Sequence, residues 1–272
     1  LPEINWGEIA QKENDATRNA SGNVLAYLAG KVENLIVASA DLSNSDKTDS
    51  YLKKTTAFTK GDFSGSFLQA GVAELTMAAL ATGMSLHGGI VPVCATFFAF
   101  SDYMKPAIRV AALMEKQVIF VWTHDAFRVG EDGPTHQPIE QEAQLRLLEQ
   151  LKNHSGKNSV LALRPADVHE TTICWKLALE NQHSPSGLIL SRQNITDLPA
   201  ASSRFAEASQ AERGAYIVQN CAGTPDVILV ANGSEVATLV AGAKKLSEEK
   251  GLKIRIVSAP SEGLFRSQTI DY

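Results

Sequence analysis

The sequence predicts a doubly wound α/β fold, with a mostly parallel sheet, followed by a partial second α/β domain. Three observations predict it. Short runs of branched apolar residues alternate with helical patterns along the chain, as in successive βαβ units. Polar and aromatic residues gather just after those runs, where parallel strands bring their carboxyl ends to one edge. The 272 residues, 44% hydrophobic and 20% charged, suit a globular chain of one large or two ordinary domains.

Residues 1–15 read as a linker or arm, and 16–31 carry the first helical pattern. Residues 35–39, LIVAS, read as a buried strand. The polar stretch 43–66 has no clear period and little apolar surface to anchor it, so it is expected to be poorly ordered by itself. Residues 67–86 read as one helix, apolar on nearly every face and therefore buried. Strands follow at 91–95, 117–122, 159–163 and 187–191, with helices at 102–115, 138–151 and 167–181 between them. After a polar, alanine-rich connector near 196–212, a second unit holds the strand 226–231, an NGSE turn, a helix to about residue 249 and the strand 253–258. Ser234 in that turn is the expected N-cap. So few elements cannot cover both faces of a sheet, which makes residues 198–272 an incomplete domain leaning on 16–197.

Charge and composition exclude several classes. A net charge of −5 offers no basic surface for nucleic acid. No run approaches the roughly 20 apolar residues of a membrane span, and no signal peptide opens the chain. Cys94, Cys174 and Cys221 have no metal-ligand spacing and read as thiols of a reducing, cytoplasmic compartment. The first residue is leucine and the last follows closely on a predicted strand, as expected of a piece of a longer polypeptide.

The candidate functional residues lie just beyond the strand ends. The run THDAFRVGEDGPTHQPIEQ, 123–141, packs two histidines with acids, glycines and prolines into one connection, far more chemistry than a turn needs. It supplies His124, Asp132 and His136. Strand 35–39 leads to Asp41 and Ser45, strand 91–95 to Phe97, Phe100 and Tyr103, strand 159–163 to Arg164 and strand 187–191 to Arg192. The aromatic set, spaced by three, suits either plain core or a wall for a planar ring. Glu74 differs in kind. Inside the apolar helix 67–86, with no cation one turn away, its carboxyl is expected to stay protonated near neutrality and so to donate a hydrogen bond.

Taken together, SADLSNS (39–45), GVAELTMAA (71–79), SLHGG (85–89), ATFFAFSDY (95–103), RVAALM (109–114), the 123–141 run, LRPADVHET (163–171), LILSRQN (188–194) and VANGSEV (230–236) resemble the transketolase family. The similarity runs colinearly from about Arg18 to Tyr272 and covers the family's pyrimidine-binding domain, of the thiamine diphosphate-binding fold, and the start of its C-terminal domain. The resemblance implies transfer of a two-carbon ketol unit from a ketose phosphate to an aldose phosphate, in the pentose phosphate pathway, with thiamine diphosphate as cofactor. It implies that Glu74 hydrogen-bonds the cofactor's aminopyrimidine ring, that Phe97, Phe100 and Tyr103 wall that ring, and that Asp41 lies close to the cofactor. It also implies that Arg18, Ser45, His124 and Arg192 contact the sugar phosphate and that Asp132 and His136 read its hydroxyls. His124 and His136 are further expected to pass protons near neutral pH.

Ala73 stands where the family usually has arginine, and Arg128 where it has a small residue. The family's GDG motif and downstream asparagine, which hold the diphosphate with Mg2+ or Ca2+, do not occur, and no metal ligand is expected among these residues. Half a cofactor site is the consequence, with inactivity of the chain alone and a homodimer or a diphosphate-domain partner. Two other functions compete: a binding or regulatory protein that kept the fold without the chemistry, and another thiamine enzyme such as a deoxyxylulose-phosphate synthase.

Overall fold

A computed structural model describes residues 2–126 and 128–272. The first unit comprises α1 (Thr17–Leu28), β1 (Leu35–Ser39), the short helices α2 (Ser43–Asp46) and α3 (Asp49–Leu52), β2 (Phe67–Gln69), α4 (Glu74–His87), β3 (Val91–Phe97) and α5 (Ser101–Leu113). It continues through β4 (Ile119–Thr123), α6 (Gln141–Gln150), β5 (Leu161–Leu163), α7 (Val168–Glu180) and β6 (Ser186–Leu190). The six strands form one sheet in the order β2-β1-β3-β4-β6-β5, and every pairing is parallel. The chain leaves β1 for β2 on one side and returns to β3 on the other, so the strand order reverses between β1 and β3. At such a reversal the two flanking loops diverge and leave a crevice at the strand carboxyl ends.

Side-chain alternation along the strands sorts the core into two layers. Leu35, Val37, Val93, Ala95, Val121 and Leu188 meet α1 and α7 through Leu25, Leu28, Trp175 and Leu179. Ala38, Cys94, Phe120, Trp122 and Ile189 meet α4 and α5 through Met77, Ala81, Met104 and Ile108. One close approach is tight. A Cβ on Gly187 of β6 would lie 2.3 Å from Trp122 Cζ3, and the Trp122 ring cannot retreat because it stacks on Phe120 at 5.4 Å. Gly187→Ala is expected to cost about 1–3 kcal/mol by overpacking, read as a lower denaturation midpoint. An unchanged midpoint would mean that the layer is looser than drawn.

The second unit holds α8 (Arg204–Ala208), β7 (Tyr216–Gln219), β8 (Val227–Ala231), α9 (Glu235–Lys250), β9 (Ile254–Ser258) and α10 (Glu262–Arg266). Its sheet runs β7-β9-β8, with β8 parallel and β7 antiparallel to β9. Helix α9 packs Val236 and Ala243 against it, whereas Ile217, Ile228 and Val230 remain exposed.

Four expectations are corrected. Residues 67–86 are not one helix: 67–69 pair with β1 as β2, Gly71 takes φ 68°, and α4 starts only at Glu74. The stretch 43–66 has an anchor, because the Tyr51 side chain is buried and its hydroxyl donates to the Leu35 carbonyl at 2.7 Å. The arm packs on the domain through Ile9, with Ile4 and Trp6 against the same core. Ser234 precedes α9 but gives it no side-chain cap; its hydroxyl donates to Glu235 Oε1 at 3.1 Å.

Candidate active site at the strand carboxyl ends

The parallel sheet collects the predicted residues along one edge. Phe97 ends β3, and its ring stacks on His124, which directly follows β4, with centroids 3.7 Å apart. Phe100 stacks on Phe97 at 5.9 Å, Tyr103 tilts against Phe100 at 6.2 Å, and His136 meets Phe100 edge-on at 5.0 Å. The five rings form a continuous wall that is buried at Phe97 and open at Tyr103, which is 62% exposed. Aromatic faces at such spacings present a flat apolar surface that a planar heterocycle can stack against.

His124 pays for its place with backbone strain: its φ is 64°, a left-handed conformation that costs a side-chain-bearing residue on the order of 1–3 kcal/mol. The ring is buried, with Nδ1 hydrogen-bonded to the Thr123 hydroxyl at 2.9 Å and Nε2 4.0 Å from Asp132 Oδ2. Burial first, and then the charges of Arg18, Arg192 and His136, hold its pKa down to about 3. Near neutral pH His124 is a neutral imidazole that offers a hydrogen bond and takes up no proton.

A histidine depressed in the fold stabilises it fully above its ordinary pKa of 6.5 and loses that contribution as pH falls toward about 3. Asp46 behaves oppositely. Burial raises its pKa to about 6 although Ser39 and Thr48 donate to it, so its contribution is present below 3.8 and lost as pH rises through 6. His124→Asn should therefore narrow its stability gap to the parent chain as pH drops from about 6.5 to about 4.5, by chemical denaturation. An equal gap at both values would refute the buried neutral ring.

The cations lie beside this wall. Arg18, at the start of α1, donates through Nη1 to the Ser45 carbonyl at 2.9 Å, while its Nε is buried without a partner among the described residues. Burial and the neighbouring Arg192 lower its pKa, and Asp132 and Asp46 oppose them. Arg192, exposed after β6, lies against Gly130 of the long loop; a Cβ there would meet its guanidinium at 2.9–3.1 Å. Ser45, half-buried on α2, therefore joins the site through its backbone oxygen.

Glu74 is buried, as expected, but it begins α4 rather than sitting inside it. A helix start presents unpaired backbone N–H groups, unlike the helix interior read from the sequence. Thr96 Oγ1 donates to Glu74 Oε1 at 3.4 Å, the carboxyl group's one hydrogen bond among the described residues. Thr96 and Phe97 are successive residues of β3 with side chains on opposite faces, so one ligand can reach both Glu74 and the ring wall only across the end of that strand. Asp41 is exposed, with φ 63°, in the turn after β1. Ala73 is the uncapped residue before α4, and Arg128 is exposed in the long loop.

Arg164 is the residue that does not join. Its guanidinium turns away from the cleft toward Asp125 and the second unit. Sequence reasoning missed Asp125 and Asp46, both buried acids whose only signal was adjacency to His124 and Ser45. Among the described residues no group of three or more His, Cys, Asp or Glu side chains could hold a metal ion, and no helix is long and apolar enough to cross a membrane. Cys94 and Cys174 are buried free thiols and Cys221 is a half-buried one.

The family described as transketolase, pyrimidine binding domain, matches residues 13–197, and the transketolase-like C-terminal domain family matches residues 214–272. A transketolase of Halalkalibacterium halodurans is 43% identical over the whole chain, which covers 39% of that protein. Transketolase of Pichia stipitis, solved in complex with sedoheptulose-7-phosphate, superposes with a TM-score of 0.86 at 34% identity, over 99% of this chain and 39% of that one. A split-gene transketolase, solved as an inactive beta4 tetramer, superposes with a TM-score of 0.69 at 29% identity, over 91% of this chain and 72% of that one. The chain spans about two fifths of the length of the curated relatives it matches. Matched by the pyrimidine-binding profile over more than half of its residues, and by the C-terminal profile beyond, the chain belongs to the transketolase family.

Proposed function

We propose that this chain forms the pyrimidine-binding and sugar-facing side of a thiamine diphosphate site, and that with a diphosphate-binding partner it moves a two-carbon ketol unit from a ketose phosphate to an aldose phosphate. The observation that carries the reading is the wall Phe97–Phe100–Tyr103 with His124 and His136, set between a buried carboxyl and two arginines. We divide the chain into an arm (1–15), a pyrimidine-binding domain (16–197) and a partial C-terminal domain (198–272).

The residues fit the cofactor's pyrimidine end. Phe97 and Phe100 offer ring faces, and Glu74 retains hydrogen-bonding capacity beyond its one long bond from Thr96. In this reading Glu74 bonds a pyrimidine nitrogen, and Asp41 lies near the cofactor from the β1 turn. When bound, thiamine diphosphate supplies the carbanion-stabilising thiazolium, and this chain supplies placement and charge. Arg18, with its unpartnered Nε, Arg192 and Ser45 receive the sugar phosphate; charge-assisted bonds to its oxygens are the strong ones. His124 donates from Nε2 to a sugar oxygen as a neutral group, while Asp132 and His136 orient the hydroxyls. A metal ion would be held by the partner.

The need for a partner has its own support. Val72 just before α4 and Leu75, Leu80 and Leu86 along it, with Val110 and Leu113 on α5, are exposed apolar side chains near Glu74. A patch of this kind marks an association surface. A second copy of the chain or a diphosphate-binding subunit would cover it, and the chain alone would be inactive.

The test combines the chain with a folded diphosphate-binding partner, thiamine diphosphate and magnesium. Two-carbon transfer from a ketose phosphate by the mixture, and by neither component alone, is expected. Persistent inactivity of the mixture would favour a binding or regulatory role. Turnover of pyruvate instead would favour a deoxyxylulose-phosphate synthase type of activity.

A further inference from the structure

Arg164 follows β5 at the edge where the site residues gather, yet its guanidinium lies buried beneath three acids. Its Nε and Nη2 donate to Asp125 Oδ2 at 3.2 and 2.9 Å, in a fork on one oxygen. Nη1 stands 3.3 Å from Glu142 Oε2 of α6, and Nη2 stands 2.8 Å from Glu235 Oε2 of α9. Nη1 also donates to Asn232 Oδ1. The backbone completes the grip: Gly233 N donates to the Arg164 carbonyl at 3.1 Å, and Arg164 N donates to Pro260 O at 2.8 Å. Asn232 and Gly233 lie in the turn between β8 and α9 and Glu235 begins α9, so one side chain of the first unit is held on several sides by the second.

The other end of this linkage is Asp125, the residue after His124. Asp125 is buried, and its Oδ1 has no partner among the described residues, so Arg164 is the cation that compensates its charge. A buried carboxylate cannot leave its counter-ion without a large desolvation cost. His124 is thereby fixed between Thr123, in the ladder of β4, and an immobilised Asp125, which is what a residue strained to φ 64° requires. Gly233 is shaped to this arrangement. At φ 56° its Cβ would come within 2.7–2.9 Å of Arg164 Nε, Cγ and Cζ.

We propose that Arg164 is a positioning residue that, through Asp125, holds the His124 ring on Phe97, and that the Asn232–Glu235 turn of the second unit sets this placement by gripping Arg164. The second unit thus acts on the site through one guanidinium. The kinetic consequence rests on the reading of His124 as a sugar contact; the geometric claim stands without it.

The test is histidine imidazole NMR on the full chain, comparing the parent with Arg164→Lys, Gly233→Ala and Glu235→Gln. Lysine keeps the charge and loses the fork. The added methyl displaces the guanidinium, and Glu235→Gln removes one grip at a half-exposed side chain, so the chain stays folded. His124 resonances should shift in all three, and its protonation midpoint should rise from about 3 toward the ordinary value of 6.5. His87, His154 and His183, which make no contact with this linkage among the described residues, should stay fixed and report that the fold is intact. His124 signals and midpoint unchanged in Gly233→Ala and Glu235→Gln would overturn the proposal, whether or not Arg164→Lys folds. In the assembled enzyme Arg164→Lys should lower kcat/KM for a ketose phosphate by roughly 10- to 100-fold, as a misplaced contact does. If His124→Asn leaves kcat/KM intact, the sugar-contact reading fails, and the NMR result still decides the positioning claim.

Discussion

Glu74→Ala, in the chain assembled with its diphosphate-binding partner, is expected to slow exchange of the cofactor's thiazolium proton by about 100- to 10,000-fold, the range of a lost general acid or base. The fold should survive. Glu74 accepts a long hydrogen bond from Thr96 and begins a helix whose buried face is formed by Met77, Ala78 and Ala81. Glu74→Gln separates the two things a carboxyl can do at this position. An amide can still hydrogen-bond a ring nitrogen but cannot exchange a proton with it. Glutamine should therefore preserve cofactor affinity better than alanine does while losing nearly as much exchange. Parent-like exchange in both variants would remove Glu74 from the chemistry.

The second large effect concerns the phosphate end. Arg192→Ala should raise KM for phosphorylated donors by roughly 10- to 150-fold, the equivalent of one charge-assisted hydrogen bond of about 1.5–3 kcal/mol. Turnover of a non-phosphorylated ketose should change little. Gly130→Ala tests the same contact from the opposite side. Its φ of 95° strains any side chain, and its Cβ would press on the Arg192 guanidinium at 2.9–3.1 Å. It should reproduce the KM effect with Arg192 still present. Equal losses for phosphorylated and non-phosphorylated donors would place Arg192 outside the phosphate site.

Much of this was legible because parallel strands announce themselves twice. The run 35–39 is apolar and β-branched, and it coincides with β1. The polar residues after each run then had to converge, since parallel register puts all those ends on one edge. What escaped lacks a periodic signal. Strand β2 is three residues long and its apolar content runs straight into α4, so the helical period swallowed it and moved Glu74 from a helix start to a helix interior. Strand β7 joins its sheet antiparallel at the end of an alanine-rich connector that gives no alternation.

Charges misled in a second way. The sequence shows that His124 stands beside acids, but not that burial and the nearby Arg18 and Arg192 act together to keep the ring neutral. Likewise, strand order alone aims Arg164 into the cleft. Only the placement of Asn232 and Glu235, some 70 residues onward, turns it away.

The most direct measurement is a crystal structure of the chain in complex with its diphosphate-binding partner and thiamine diphosphate. The account predicts the Glu74 carboxyl within about 2.6–3.2 Å of a pyrimidine nitrogen, with that ring lying against Phe97 and Phe100 across the end of β3. A pyrimidine ring bound elsewhere, or a Glu74 side chain turned into solvent, would contradict it.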